Sequence, residues 1–562
     1  MKVKTISLVL FMVSIVAAAC NEPILAPWTT LSTVKVRPFE QPADLDLVAP
    51  HIYSARNEWE AIQVVVRKAG TGALTGCDVV VSPLQGPGDD IDSINLYRET
   101  YVEIILPSRK PWEAGTIGYW PDGMIPFTDI HFGEDRDGAP FDVADGWNQP
   151  IWIDFYVEAD QLPGDYAGEI EVSCDDLAPV TIPLILTVWD FALPETITLP
   201  SNYGYSCGTA YSKHQSMGGV TGRNELTQMY YVEALRHRMM LSSGHCAGPS
   251  WNWDPNTETG SFDMTAFVEQ VGHAFDGTIY RPGVSIDTYR MPYPPGGASH
   301  TEQVAFWQEL AGEFKARGWF DKMYLYLPDE PMPGEYPHLV ELAATLHEAD
   351  PDLKAMATEQ IAQGLVGSVD IWCPDEPLFS DWIPLPPFPE DYPVRQAFGE
   401  KVWWYNCMSA QFVLDFSNHF VDVQGMYMRI WPWLTRRYNF EGLLFWHSVY
   451  LYAHNADPWT DQYATAFFCN GDGNMFYPGV PDKIGGVNDI PTPSLRLKLF
   501  REGMEDYEYF AILDALGHAD FVQTETTCMA RRTFDWEHDP FEMEASRHRI
   551  AEMILNKSGR WK

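Results

Sequence analysis

The sequence predicts a multidomain chain of β plus α/β class. An N-terminal β-sandwich comes first, then a (β/α)8 TIM-type barrel, then a C-terminal helical extension. Three observations carry this. Short apolar or alternating runs broken by Gly, Pro and Asp fill the first third, such as Ala61–Arg67, Val102–Leu106, Ile151–Val157, Gly168–Val172 and Val180–Val188. Beyond Pro194–Pro200 the pattern changes to strand alternating with helix, about eight times over ~245 residues. No Gly-x-Gly-x-x-Gly follows the first of these strands, which disfavours an open nucleotide-binding sheet.

The alternation is read element by element. Strands are expected at Tyr203–Cys207, Leu241–Cys246, Gly283–Ile286, Met323–Leu327, Lys354–Ala357, Val369–Trp372, Lys401–Tyr405 and Gly442–Trp446. Helices are expected at Glu225–Met240, Met264–Phe275, Thr301–Arg317, Tyr336–Ala349 and Val423–Arg437, where apolar residues recur with helical period. Two more follow a loop-rich piece: Leu495–Leu516 and Pro540–Leu555. The domain boundaries are accordingly 1–19 for a leader, 20–195 for the sandwich, 196–470 for the barrel and 471–562 for the extension.

The leader has its own pattern. Lys2 and Lys4 precede an apolar run from Ile6 to Val16, then Ala17-Ala18-Ala19-Cys20. A basic start, a short apolar core and small residues describe a secretory signal, and the run is too short to span a bilayer comfortably. Its Val-Ala-Ala-Ala-Cys end resembles a bacterial lipobox, with Cys20 as the lipidated residue. The expected location is exported and lipid-anchored to a bacterial membrane, on its periplasmic or cell-surface side. Contact with the membrane is then through the anchor alone.

Composition narrows the function. The chain has 562 residues, 46% of them hydrophobic, which excludes a disordered chain. Against 37 basic residues stand 78 acidic ones, a net charge of −41, so nucleic acid is not an expected partner. The 21 Trp and 27 Tyr offer flat faces that suit carbohydrate rings. After Cys20 eight cysteines remain at wide spacing, with no Cys-x-x-Cys and no His-Glu-x-x-His. Disulfides are permitted, but most of these cysteines are read as buried free thiols, and no metal or cofactor is expected.

The chemistry concentrates where strands end. Met323–Leu327 runs into Pro328-Asp329-Glu330-Pro331, placing adjacent carboxyls at the carboxyl end of a barrel strand. Asp329 and Glu330 are the candidate catalytic pair, because one carboxyl can hold a proton while its neighbour stays charged. Adjacent strand residues face opposite ways, so the Pro-flanked end must bend to aim both inward. A second Pro-Asp-Glu-Pro, at 374–377, follows another strand and competes as a source of carboxylates. Trp372, Trp404, Tyr405 and Trp446 are the candidate substrate-binding aromatics; Trp404 is favoured over Trp403 because it shares alternation with Asn406.

A long ordered set of motifs then enters: Gly471-Asp472-Gly473, Tyr477-Pro478-Gly479, Ser494-Leu495-Arg496, and Gly503-Met504-Glu505-Asp506-Tyr507-Glu508-Tyr509. This order resembles the C-terminal signature of glycoside hydrolase family 123 catalytic domains, and the likeness extends back through Gly442–Trp446, Trp403-Trp404-Tyr405 and Asp329-Glu330. The resemblance implies a β-N-acetylgalactosaminidase-like enzyme that retains configuration by substrate-assisted catalysis. By that likeness Glu330 is the general acid/base, Asp329 orients the 2-acetamido group that serves as nucleophile, and Tyr405 hydrogen-bonds that group. Arg501, Glu505 and Asp506 are read as structural. The alternatives are a glycosidase for a non-acetylated sugar, using a separate carboxylate such as Asp375 or Glu376, and a non-catalytic glycan-binding lipoprotein.

Overall fold

The computed structural model describes residues 24–42, 50–108, 117–241, 244–379, 387–411, 415–463 and 469–557. The leader and Cys20 lie outside the described residues.

Alternation in the N-terminal strands decides how they layer. One five-stranded sheet has the order Trp28–Leu31, Glu58–Val66, Gln149–Val157, Ile94–Ile104, Gly118–Pro126; the other has His51–Arg56, Val180–Ala192, Gly164–Ser173, Leu74–Val81, Phe141–Val143. Ile151, Ile153, Phe155 and Val157 point into the core between the sheets, where they meet Ile170, Val172, Leu184 and Leu186. The opposite face of the same strand carries Trp152, Asp154 and Tyr156, yet it too is buried along its whole length. A second layer covers it.

That layer begins with parallel strands. In spatial order they are Leu241, Ser201–Tyr203, Leu443–Phe445, Trp404–Asn406 with Lys401–Val402, Ile371–Trp372, Ala355–Ala357, Met323–Tyr326 and Tyr289–Arg290. Every recorded pairing among them is parallel, and the order is the chain order rotated by two places. The two ends of the series lie side by side, because the backbone N–H of Asp287 reaches the Met240 sulfur at 3.3 Å. Helices fill the connections, including Thr265–Phe275, His300–Arg317, Tyr336–Ala349 and Met426–Arg437. His300–Arg317 shows why these segments start and stop where they do. The Ser299 hydroxyl accepts from the Glu302 amide, and Gly318, at φ 72°, ends the helix in the left-handed conformation.

Most expected elements are present, but several ends move: the strand read as Tyr203–Cys207 is Ser201–Tyr203, with Cys207 opening a helix, the helix read to Met240 stops at Arg236, and Val102–Leu106 is the end of the longer strand Ile94–Ile104. Two more differ in kind. Gly283–Ile286 is not a strand: its Ile286 amide bonds to Ala274 O, and the pairing residues are Tyr289–Arg290. Of Leu241–Cys246 only Leu241 pairs, with Tyr203. The cysteines also depart from the expectation of mostly free thiols. Cys77–Cys174 ties two strands of the second sandwich sheet, and Cys207–Cys246 ties the first helix of the α/β region to the segment after Leu241. Cys373, Cys407 and Cys528 are free thiols. Wide sequence spacing hid the pairs because the fold supplies the proximity.

The C-terminal helix Leu495–Ala515 joins the layers. Lys498 Nζ and Arg501 Nη2 reach Asp154 at 2.5 and 2.8 Å, and Arg496 makes a two-pronged contact with Asp122 at 2.8 and 2.9 Å. All five side chains are fully buried. Burial alone would raise Asp154, but Arg501 and Lys498 outweigh it and hold the carboxylate far below its usual range. On its other side the helix meets Met426–Arg437, where Asp506 accepts from Arg429 and from the Trp433 indole. Gly503 permits this approach, since a Cβ there would come within 2.5 Å of Arg429 O. Removing one partner of such a set strands the other charge. Asp154→Asn is therefore expected to cost about 3–5 kcal/mol in urea unfolding, with exposed Asp160→Asn as the near-neutral control; a loss no larger than the control's would show that the cations are hydrated instead.

Candidate active site

The side chains that face inward from the parallel strands form one small cluster: Tyr324, Tyr326, Met356, Ile371, Cys373, Trp403, Tyr405 and Leu444. Their alternates face the helices. At the carboxyl ends of these strands the cluster opens into a cleft of about 720 Å³. Asp329, Glu330, Tyr405 and Trp446 line it, together with Tyr326, Thr358, Glu359, Asp375, Ser409 and Asp472. This volume is in the range that encloses a small ligand.

Asp329 and Glu330 follow the strand Met323–Tyr326 directly. Glu330 has φ 44°, a conformation uncommon outside glycine, and this is the bend that lets both neighbouring carboxyls serve one cleft. The bend is held from the next strand. Thr358 Oγ1 accepts from the Glu330 amide at 3.1 Å and donates to Asp329 Oδ1 at 2.8 Å. Tyr326 adds a second hydroxyl donor to the same oxygen at 2.6 Å. Asp329 is thus fixed through Oδ1, which leaves Oδ2 for an incoming donor. Glu330 Oε1 accepts from the Tyr405 hydroxyl at 2.6 Å.

The opposite wall is more deeply buried. Asp375 pairs its backbone with Tyr405, and its Oδ1 accepts from Ser409 at 2.9 Å. Burial pushes its carboxyl up to about 7; the Ser409 hydroxyl opposes the shift and the nearby Glu330 adds to it. Asp472 Oδ2 accepts from the Trp446 indole at 3.1 Å, while its buried Oδ1 has no hydrogen-bond partner. Burial pushes Asp472 up to about 7 as well, against the pull of Trp446 and Arg496. Glu359 is also raised by burial, with Glu330 contributing. Among the described residues no group of His, Cys, Asp and Glu could hold a metal ion.

The flanking glycines of Asp472 have spatial reasons. Gly473 has φ 73°, and a Cβ there would sit 2.3 Å from the Trp446 ring; Gly471 has φ 82° and gives its carbonyl to Arg496 at 2.7 Å. Gly-Asp-Gly is therefore a turn that seats Trp446 and aims Asp472 at the same place.

Two expected sugar-facing residues are corrected. Trp372 and Trp404 are fully buried and turned towards the helices, their indoles bonded to Glu400 and to Thr435. Parity explains the error: Trp403, not Trp404, shares the inward face with Tyr405, and Asn406 is itself buried against Ser417. The second Pro-Asp-Glu-Pro divides. Asp375 reaches the cleft, whereas Glu376 is buried against Ser417 at 2.7 Å, its burial raising the carboxyl well above the usual range. Tyr326, Thr358, Ser409 and Asp472 were not singled out for the site from the sequence, though Tyr326 shares parity with Tyr324 and Thr358 directly follows its strand.

A carboxyl-lined cleft at the ends of parallel strands, beside an N-terminal β-sandwich, is suited to acid–base chemistry. Residues 288–513, which include both Asp-Glu pairs, match the family model of the glycoside hydrolase 123 catalytic domain, so the chain carries a glycoside hydrolase domain of that family. A family 123 glycoside hydrolase from Clostridium perfringens, solved in work on glycolipid glycan hydrolysis, superposes with a TM-score of 0.66 at 14% identity, covering 95% of this chain and 98% of that one. That likeness concerns the fold alone. A family 5 xyloglucanase from Bacteroides ovatus (9% identity, 81% and 98% coverage, TM-score 0.27) and a family 39 glycoside hydrolase from Bacteroides cellulosilyticus (12%, 76% and 80%, 0.29) are too distant in shape to carry an argument. Among curated proteins none matches the sequence.

The buried wall makes stability depend on pH. Between its ordinary value of 3.8 and about 7, Asp375 keeps a proton in the folded state that the unfolded chain has released. Its contribution is present below pH 4 and is lost as pH rises through 7. In melting temperatures taken from pH 5 to 8, Asp375→Asn should fall less steeply than the unmodified protein. Parallel curves would mean that Asp375 is ionised throughout.

Proposed function

We propose that this protein is a retaining hexosaminidase acting on glycans that carry β-linked N-acetylgalactosamine, with the substrate's own acetamido oxygen as nucleophile. The observation that carries the reading is the bend at Glu330, which brings two sequence-adjacent carboxyls to one cleft. Two carboxylates on opposite faces of a sugar ring are the usual requirement; adjacency fits chemistry in which the substrate supplies the attacking atom.

In this reading Asp329 accepts the acetamido N–H through its unused oxygen and so turns the carbonyl oxygen towards the anomeric carbon. That oxygen bonds to the carbon as the glycosidic C–O bond breaks, and Glu330 gives its proton to the departing oxygen. Water then loses a proton to Glu330, attacks the anomeric carbon and reopens the ring intermediate, so configuration is retained. Tyr405 steadies Glu330 before substrate binds and is in reach of the acetamido group once substrate displaces that bond. Trp446 offers its ring as a stacking face. Around this site we read the eight parallel segments as a (β/α)8 barrel occupying 196–470, between a sandwich at 20–195 and an extension at 471–562. We read residues 1–19 as a signal that leaves Cys20 lipid-anchored, outside the cytoplasm.

A second reading draws on Asp375, which shares the cleft and would serve as a protein nucleophile for a non-acetylated sugar. With its carboxyl pushed up to about 7 it is protonated at mildly acidic pH, a poor state for attack. Paired nitrophenyl glycosides separate the two. β-N-acetylgalactosaminide should be cleaved and β-galactoside should not, and Glu330→Gln should lower kcat by on the order of 10²–10⁴. Cleavage of the β-galactoside at a comparable rate would remove substrate assistance. Tyr405→Phe, which keeps the ring and loses only the bond to Glu330, should cut kcat by roughly tenfold and displace the pH profile, in line with a lost hydrogen bond to a charged group; an unmoved profile would limit Tyr405 to packing.

A further inference from the structure

The cleft is one-sided in charge. Among the described residues five carboxyl groups line it (Asp329, Glu330, Glu359, Asp375 and Asp472), and none of the described lining residues is Lys, Arg or His. The cations that come near are already engaged. Arg496, behind Asp472, is bonded to Asp122 and to the carbonyls of His419 and Gly471. Arg290 packs on the ring of Tyr326 at 4.0 Å and does not line the cleft. Asp472 has a buried oxygen that receives no hydrogen bond, so this wall presents an acceptor lacking a donor. A neutral sugar brings hydroxyl donors to such walls. Above about pH 7, where burial no longer holds the protons of Asp375 and Asp472, both join the negative charge of the wall; a sulfate or carboxylate then brings only acceptors and a like charge, at distances where screening by water is reduced.

We infer that the cleft selects its sugar by charge: it takes neutral or amine-bearing rings and rejects rings carrying sulfate or carboxylate, with Glu359, Asp375 and Asp472 as the residues that set the choice. This rests on the reading above only in taking the cleft as the sugar site; it adds the class of glycan admitted. Sulfated and uronate-bearing polymers are thereby excluded as direct substrates, and another enzyme must first remove such groups from the reacting ring.

The test is calorimetric titration of the unmodified protein with three versions of one ring: N-acetylgalactosamine, its 6-sulfate and its 6-amino-6-deoxy analogue. Each is measured at alkaline pH, above the value of about 7 to which burial raises Asp375 and Asp472, and at about 50 mM and about 500 mM salt, which shortens the screening length roughly threefold. The 6-sulfate is expected to bind at least about 30-fold more weakly than the parent at low salt, with the gap narrowing at high salt and in Glu359→Gln. The ammonium analogue is expected to bind at least as tightly as the parent. Equal binding of parent and sulfate at low salt overturns the inference, as does absence of binding by all three. Turnover of the nitrophenyl N-acetylgalactosaminide, followed in parallel, separates the two readings. Lost turnover with the charge order intact removes only the hydrolase mechanism, and turnover with no charge order removes only the selectivity.

Discussion

The contact on which the rest of the molecule leans is the one between Asp154 and the pair Lys498 and Arg501, three fully buried charges joined across two layers. Asp154 sits in the middle of a strand whose inner neighbours fill the sandwich core, so its position is set by that core. Lys498 and Arg501 sit on a helix whose other face is bolted to Met426–Arg437 through Asp506 and Arg429. The ionic contact therefore transmits the placement of the sandwich to the helix layer around the parallel strands. Arg496 repeats the connection to Asp122 and also holds the carbonyl of Gly471, one residue from Asp472 in the cleft wall. Stability and site geometry share one set of side chains.

The cleft itself uses the same physics in reverse. Where the helix Leu495–Ala515 satisfies buried acids with ion pairs, in the cleft Asp375 accepts from the Ser409 hydroxyl and Asp472 from the Trp446 indole, and the pull of Arg496 on Asp472 does not offset its burial. Burial then keeps protons on these two groups up to about pH 7, while hydroxyl donors alone hold Asp329. Neighbouring carboxyls in one space are thus separated in character by their surroundings. The strain at Glu330 is tolerated because Thr358 bonds both the displaced amide and the adjacent side chain.

Much of this was legible in the sequence, and the limits follow a physical line. Helical period located Tyr336–Ala349 to the residue, and the strand leading into Asp329-Glu330 came within one residue, because both signals are local. Burial of Arg501, Glu505 and Asp506 in structural contacts agrees with reading them as structural. What failed depends on contacts distant in sequence. The side of the strand on which Trp404 lies was judged from Asn406, whose polarity is spent on Ser417 rather than on the cleft. The disulfides join residues 97 and 39 positions apart. Asp472 stood in plain view within its motif, but only the proximity of Trp446 gives it a place in the cleft.

The separation of 344 residues between Asp154 and Lys498 also bears on how the protein comes into being. A ribosome finishes the sandwich strands long before it makes the helix that neutralises them, so the early chain carries an acidic, half-dry face with nothing to cover it. The face must stay hydrated until the final segment arrives. For the same reason the sandwich is not a detachable module: cut from its C-terminal helix, it would expose Trp152 and Tyr156 beside unpaired carboxylates and lose the very surface that makes it useful. The first strands and the helix Leu495–Ala515 are tied by buried ion pairs, and the segments that line the cleft lie between them in the chain.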